Sequence, residues 1–191
     1  MLSPIKSPWT EREAAHLLNR AGFGGAPADL KRFFQRGRTR AVRWLLQPPE
    51  PLERFPPPDW TGEEGLRREE EIRKQIADLR RQPGELNPAD LEKKRRELRK
   101  QSQRLQRQAG LELQGWWLKR MVRTEAPLRE KMTLFWHDHF PSSLRKVRNA
   151  RYLYQQNALF REFATGNFKA LTHRVALDPA MMISRPSGET S

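Results

Sequence analysis

Wherever apolar residues recur periodically in this chain they recur every three or four positions, and no stretch alternates with a period of two. That confines the fold to helices packed on helices, because a half-buried strand places its apolar residues at alternate positions. Several periodic stretches also carry start and stop signals. Thr10 opens a capping box with Glu13, in which hydroxyl and carboxylate each satisfy an orphan backbone N–H, and Ala14, Ala15, Leu17 and Leu18 form the apolar face up to Gly22. Pro27 suits the first position of a second helix bearing Leu30, Phe33 and Phe34, with Gly37 as its left-handed C-cap. Thr39 is placed to cap a short third helix carrying Val42, Trp44, Leu45 and Leu46, ended by Pro48 and Pro49.

From Pro48 to Gly62 the chain is proline-rich and reads as an extended linker rather than an element. Two charged helical stretches follow, Glu63 to Arg81 and Ala89 to Ala109, separated by Pro83-Gly84-Glu85-Leu86-Asn87-Pro88. Leu66, Ile72, Ile76 and Leu79 on the first and Leu91, Leu98 and Leu105 on the second make two thin apolar stripes. Such stripes predict an antiparallel, coiled-coil-like hairpin, marginal alone because it buries little. Lys93, Lys94, Arg95, Arg96, Arg99, Lys100, Arg104 and Arg107 make its second helix strongly basic. The plain reading is a solvated face balanced by the acids of the first helix; the functional one is a docking surface for an acidic partner.

Beyond the hairpin the composition turns apolar. Leu111, Leu113, Trp116, Trp117, Met121 and Val122 form a broad apolar face. Pro127, with Thr124 as cap, starts a helix containing Leu128, Met132, Leu134, Phe135 and Trp136. After a polar loop from Pro141 to Asn149, Tyr152, Leu153, Leu159, Phe160 and Phe163 recur at helical spacing up to Gly166. A last helix holds Phe168, Leu171, Val175 and Leu177 and ends at Asp178-Pro179. The expectation is an all-α, multi-helix orthogonal bundle with a protruding antiparallel charged hairpin. Core helices occupy 1–47 and 110–182, the linker 48–62, the hairpin insertion 63–109 and a disordered polar tail 183–191.

Composition excludes several functions. The 191 residues contain no cysteine, which removes disulfides, thiolate metal sites and cysteine nucleophiles together. No run of about 18 apolar residues exists to make a spanning helix, and MLSPIKSPWT lacks the apolar stretch of a signal peptide, so a cytoplasmic location is the default expectation. The net charge of +14 invites a nucleic-acid reading. Arginine greatly outnumbers lysine, however, and the charge is spread along the whole chain, so direct nucleic-acid binding ranks behind a protein partner.

The aromatic and histidine-bearing segments are the most distinctive. They are AAHLLNRAGFG from Ala14 to Gly24, Trp116-Trp117-Leu118-Lys119-Arg120-Met121, FWHDHF from Phe135 to Phe140, Gln156-Asn157, Gly166-Asn167-Phe168 and Asp178-Pro179-Ala180-Met181. Together they resemble the bacterial family known as domain of unknown function 1800. The resemblance implies a helical fold but no established activity. Members of that family generally continue past the DPAM segment through an asparagine-rich stretch and a second acidic helical motif. This chain instead runs into SRPSGETS, so the expectation is the N-terminal portion of a longer protein, with a C-terminal half as one candidate partner. Many members also carry export signals, which would reverse the cytoplasmic expectation if the true start lies upstream.

His137 and His139, with Asp138 between them, are the candidate metal ligands. On a continuous helix they lie about 200° apart, so both can hold one divalent ion only if the helix ends between them; Asp138 would then add an oxygen ligand or orient an imidazole. The structural alternative is a core helix with hydrogen-bonded histidines. His16, which the resemblance places in the family's first motif, reads as a satisfied, partly buried histidine, and His173 as a surface residue. Gln156 and Asn157 sit inside an apolar helix and suggest an interhelical hydrogen bond, while Asn167 is a cap for the last helix. With His16, these amides form a candidate structural polar network. Gly22, Gly24 and Gly25 lack the preceding strand and following Lys-Ser/Thr of a phosphate loop and read as a helix-to-helix turn. No catalytic residue and no cofactor-binding motif is assigned. The leading functional reading is a non-catalytic scaffold or interaction protein. A metal-assisted enzyme fragment using the His137/His139 segment and nucleic-acid binding through the basic hairpin are the rivals.

Overall fold

The computed structural model describes residues 7–47, 55–81 and 87–184. It is all-α, with ten helices and no strand among the described residues. The Pro83-Gly84 turn, the stop at Pro48 and Pro49 and the tail beyond Ser184 lie outside the described residues.

α1 (Glu11–Ala21) starts as the sequence requires: Thr10 Oγ1 accepts from the Glu13 N–H and Glu13 returns a carboxylate to the Thr10 N–H. α2 (Pro27–Gln35) has proline at its first position. α3 (Arg38–Leu46) begins two residues earlier than a cap at Thr39 would have it. Gly37 stands at its N-terminal boundary with φ of 72°, a backbone angle that favours glycine. These helices bury Ala14, Leu18, Phe33, Ala41 and Leu45 in a first core, with Trp9, Trp44 and Leu128 against it.

α4 (Glu63–Arg81) and α5 (Pro88–Arg123) make the hairpin. Ile72, Leu91 and Leu98 are buried between them as the stripes predict, while Leu66 is exposed. No helix end marks residue 109, because α5 runs unbroken for 36 residues from hairpin to core. Gly110 sits where it passes α7 (Leu144–Val147): an added Cβ would overlap the Leu144 side chain. Nor is 55–62 a bare linker. Phe55 is buried, Asp59–Thr61 forms a 3-10 turn, and Arg151 donates to the carbonyls of Trp60 and Thr61, both at 2.9 Å.

α6 (Pro127–His139) and α8 (Ala150–Glu162) pack side by side, and α9 (Phe168–Ala176) closes the second core around Phe160, Leu171 and Val175. The polar stretch 141–149 contains α7, and Asp178-Pro179 starts a helix instead of ending the fold. α10 (Pro179–Ser184) follows, so the expected tail boundary at 183 falls inside a helix. α6 joins the two cores, contributing Leu128 to the first and Trp136 to the second.

Candidate functional site

Between the two cores α6 buries a carboxylate. Glu130 is fully enclosed, and its Oε1 accepts from Arg120 Nε at 2.6 Å and Arg161 Nε at 2.7 Å. Oε2 accepts from Arg161 Nη2 at 3.1 Å and Trp117 Nε1 at 3.0 Å. Arg161 thus grips the carboxylate with two parallel hydrogen bonds, the strongest geometry for this pair. Burial alone would push the Glu130 carboxyl up, but the hydrogen bonds and charges of Arg161 and Arg120 overcome it and hold the group below the ordinary carboxylate range. Both guanidinium planes also face aromatic rings. Arg120 lies 5.0 Å from the Phe55 centroid and Arg161 5.3 Å from that of Trp116, whose indole N–H donates to the Pro56 carbonyl at 2.8 Å.

The cluster continues through Asn157, which is buried on α8. Its Oδ1 accepts from Arg161 Nη2 at 2.6 Å. Arginine only donates, so that contact fixes the amide orientation and turns the NH2 group toward His137 Nε2, 3.1 Å away. His137 Nε2 is therefore the acceptor, and its proton stays on Nδ1. The ring lies 4.7 Å from those of both Trp117 and Phe160. Burial, and secondarily the charge of Arg161, bring its pKa down to about 4, so the imidazole is neutral at pH 7.

His137 is thus placed inside, and its proposed partners are not. α6 continues through His139, so the helix end needed between the two histidines is absent. His139 is exposed and stacks on Phe135 at 6.0 Å, and Asp138 is exposed as well. Among the described residues no group of His, Cys, Asp or Glu is placed to hold a metal ion.

The expected polar network also divides. Gln156 and Asn157, adjacent and both buried, serve different clusters. Gln156 accepts from Ser142 and donates to Asp178 Oδ1 at 2.9 Å, and that oxygen also accepts from the Met181 N–H at 2.8 Å, capping α10. Burial raises the Asp178 pKa against the opposing pull of those hydrogen bonds. Asn167 caps α9 through the Ala170 N–H at 3.0 Å. His16 and His173 are exposed, and neither they nor Asn167 touches either cluster.

Sequence reasoning missed Glu130, Arg120, Arg161 and Asp178. The available signal was a charge on the apolar face of a helix: Glu130 lies three residues after Pro127 and seven before His137, Arg120 follows Trp116-Trp117, and Arg161 sits between Phe160 and Phe163. A second set of bonds ties the hairpin base to the core. Glu69 accepts from Asn149 at 2.9 Å and lies 3.7 Å from Arg151 Nε, and Gln106 accepts from the Ala150 N–H at 2.7 Å.

Fold and site together define an all-α protein whose helices converge on one buried carboxylate held by two arginines. The chain belongs to the family described as "Protein of unknown function (DUF1800)", whose model matches residues 16–184. No curated protein and no solved structure matches it. Among the described residues, no helix is long and apolar enough to cross a membrane.

Proposed function

We propose that this chain is a non-catalytic helical scaffold that docks an acidic polypeptide along the outer face of α5. The observation that carries this reading is a row of exposed cations. At 100° per residue, Lys93, Arg96, Lys100, Arg104 and Arg107 fall on the helix face opposite Leu91 and Leu98, which pack toward α4. The row spans about 21 Å. The acids of α4 do not neutralise it: among the described residues, the nearby ion pairs are Arg73 with Glu69 and Arg95 with Glu92, and none involves a member of the row.

The buried cluster supports the same reading. Glu130, Arg120, Arg161 and Asn157 are bonded to one another across three helices, with Trp117 and His137 completing the set, which suits a structural clamp between helices. The row lacks the interleaved aromatic rings on which unpaired bases stack, which favours a protein partner over single-stranded nucleic acid.

Titration with a glutamate-rich peptide at several salt concentrations, followed by fluorescence anisotropy, tests the proposal. Binding should weaken steadily with salt and vanish in a K100E/R104E/R107E variant that keeps its helical circular dichroism. Absence of peptide binding at low salt, or tighter binding to duplex DNA of equal charge, would overturn it.

A further inference from the structure

The outer face of α5 changes character along its length. Beyond Arg107 the same face carries Leu111, Gly115, Leu118 and Val122, which fall within about 60° of one another around the helix. Leu111 is 61%, Leu118 59% and Val122 76% exposed. A Cβ at Gly115 would meet nothing within 4 Å. The sequence reading placed Leu111 and Val122 in the core, but Leu113 and Arg120, on the other side of the helix, take that role. Apolar positions spaced four, three and four apart on an exposed helix form the seam of a two-helix pairing.

We infer that this seam pairs antiparallel with the same seam of a second copy of the chain. Charge complementarity selects both the occupant and the orientation. Glu112 and Lys119 are exposed on the same flank of the seam, one heptad apart. In an antiparallel pair equal flanks face each other, so Glu112 meets Lys119 of the second copy and Lys119 meets its Glu112. The matching register seats Leu118 over Gly115 of the second copy and Leu111 against its Val122, with glycine permitting close approach. Parallel pairing would lay the cationic row from Lys93 to Arg107 against its own copy. The antiparallel arrangement sends the rows to opposite ends, with the two Lys100 positions about 50 Å apart. The seam is only about 17 Å long, so the association is weak, on the order of tens of micromolar.

Sedimentation equilibrium over a wide concentration range, combined with cross-linking, tests this. The wild-type chain should dimerise, and Leu118→Asp should weaken dimerisation at least tenfold without lowering the melting temperature, because the side chain is exposed. E112K and K119E should each weaken self-association, and an equimolar mixture of the two variants should restore it. The chain has no cysteine, so Gly115→Cys offers a single thiol that a short bismaleimide should link between copies, whereas Lys100→Cys should not be linked. A chain that stays monomeric at several hundred micromolar, a mixture that fails to restore association, or Lys100→Cys linking as readily as Gly115→Cys would overturn the inference.

Discussion

Arg161 reaches Glu130 across 31 positions of sequence, Nε to Oε1 at 2.7 Å and Nη2 to Oε2 at 3.1 Å, and this two-point contact fixes α8 against α6. Arg120 adds α5 to the same carboxylate at 2.6 Å. One side chain thereby ties these helices together, and its removal takes away the carboxylate that two buried guanidinium groups share. Glu130→Ala should cost about 3–5 kcal/mol in chemical denaturation, more than truncation of an exposed acid such as Glu97. Replacing Arg120, Glu130 and Arg161 together by Met, Leu and Met should recover most of that loss. A triple variant no more stable than Glu130→Ala would show that the cluster carries net stability of its own.

The imidazole of His137 makes stability depend on pH. Unfolded, the ring takes its proton near 6.5; folded, only near 4, so between those values the unfolded state holds more protons. The melting temperature should therefore fall as pH drops from about 6.5 to about 4. His137→Gln keeps an acceptor for Asn157 and should flatten that limb of the curve. Glu130, whose folded pKa is depressed, loses its contribution only as pH falls below its ordinary 4.5 and through the lowered value, so the two effects separate along the pH axis. A parent protein with unchanged melting temperature between pH 6.5 and 4.5 would contradict the assignment.

Two glycines on one helix should respond oppositely to alanine. Gly110→Ala drives a methyl group into Leu144 and should destabilise by about 1–3 kcal/mol. Gly115→Ala adds a methyl group to open space and should stabilise by about 1 kcal/mol through helix propensity alone. Thermal melts of dilute protein give both signs directly.

The hairpin divides into a tip and a base. Replacing residues 75–100 by a short turn should leave the melting temperature of the core within a few degrees, since no hydrogen bond from that stretch to the core is present among the described residues. Removing all of 63–109 should lower it clearly, because Glu69 and Gln106 bond to Asn149 and the Ala150 N–H. Equal melting temperatures for the two deletions would show those bonds to be neutral.

Much of the fold was legible in the chain because helix periodicity and caps are local. Thr10 with Glu13, Pro27, Asn167 and the leucines at 91 and 98 behave as their spacing requires. Ends decided by tertiary contacts were not legible. α5 continues past Ala109 through a glycine that local rules read as a weak point, and Asp178 reads as a helix stop until its carboxylate is seen to cap α10. The site was half visible. His137, Gln156 and Asn157 stand out as polar residues in apolar surroundings, but that Asn157 meets His137 and Gln156 meets Asp178 follows from no local pattern, since the partners lie 20 and 22 positions apart; Arg161, one helical turn from Asn157, was within reach of periodicity and was missed. His16, which its apolar helix and the family motif suggested, and Asn167, expected as a cap, are both exposed, and Asn167 does cap α9.

The unbroken course of α5 also makes the basic row and the buried clamp parts of a single element. Lys100 and Arg120 ride on one rod with Gly110 midway, each about 15 Å from it. A long helix without an interior proline curves gently and does not hinge. Gly110 is lodged against Leu144, where an added methyl group would overlap that side chain. The cationic arm and the arm that carries Arg120, which donates to the buried carboxylate at 2.6 Å, are therefore parts of one rigid rod and keep a fixed spacing.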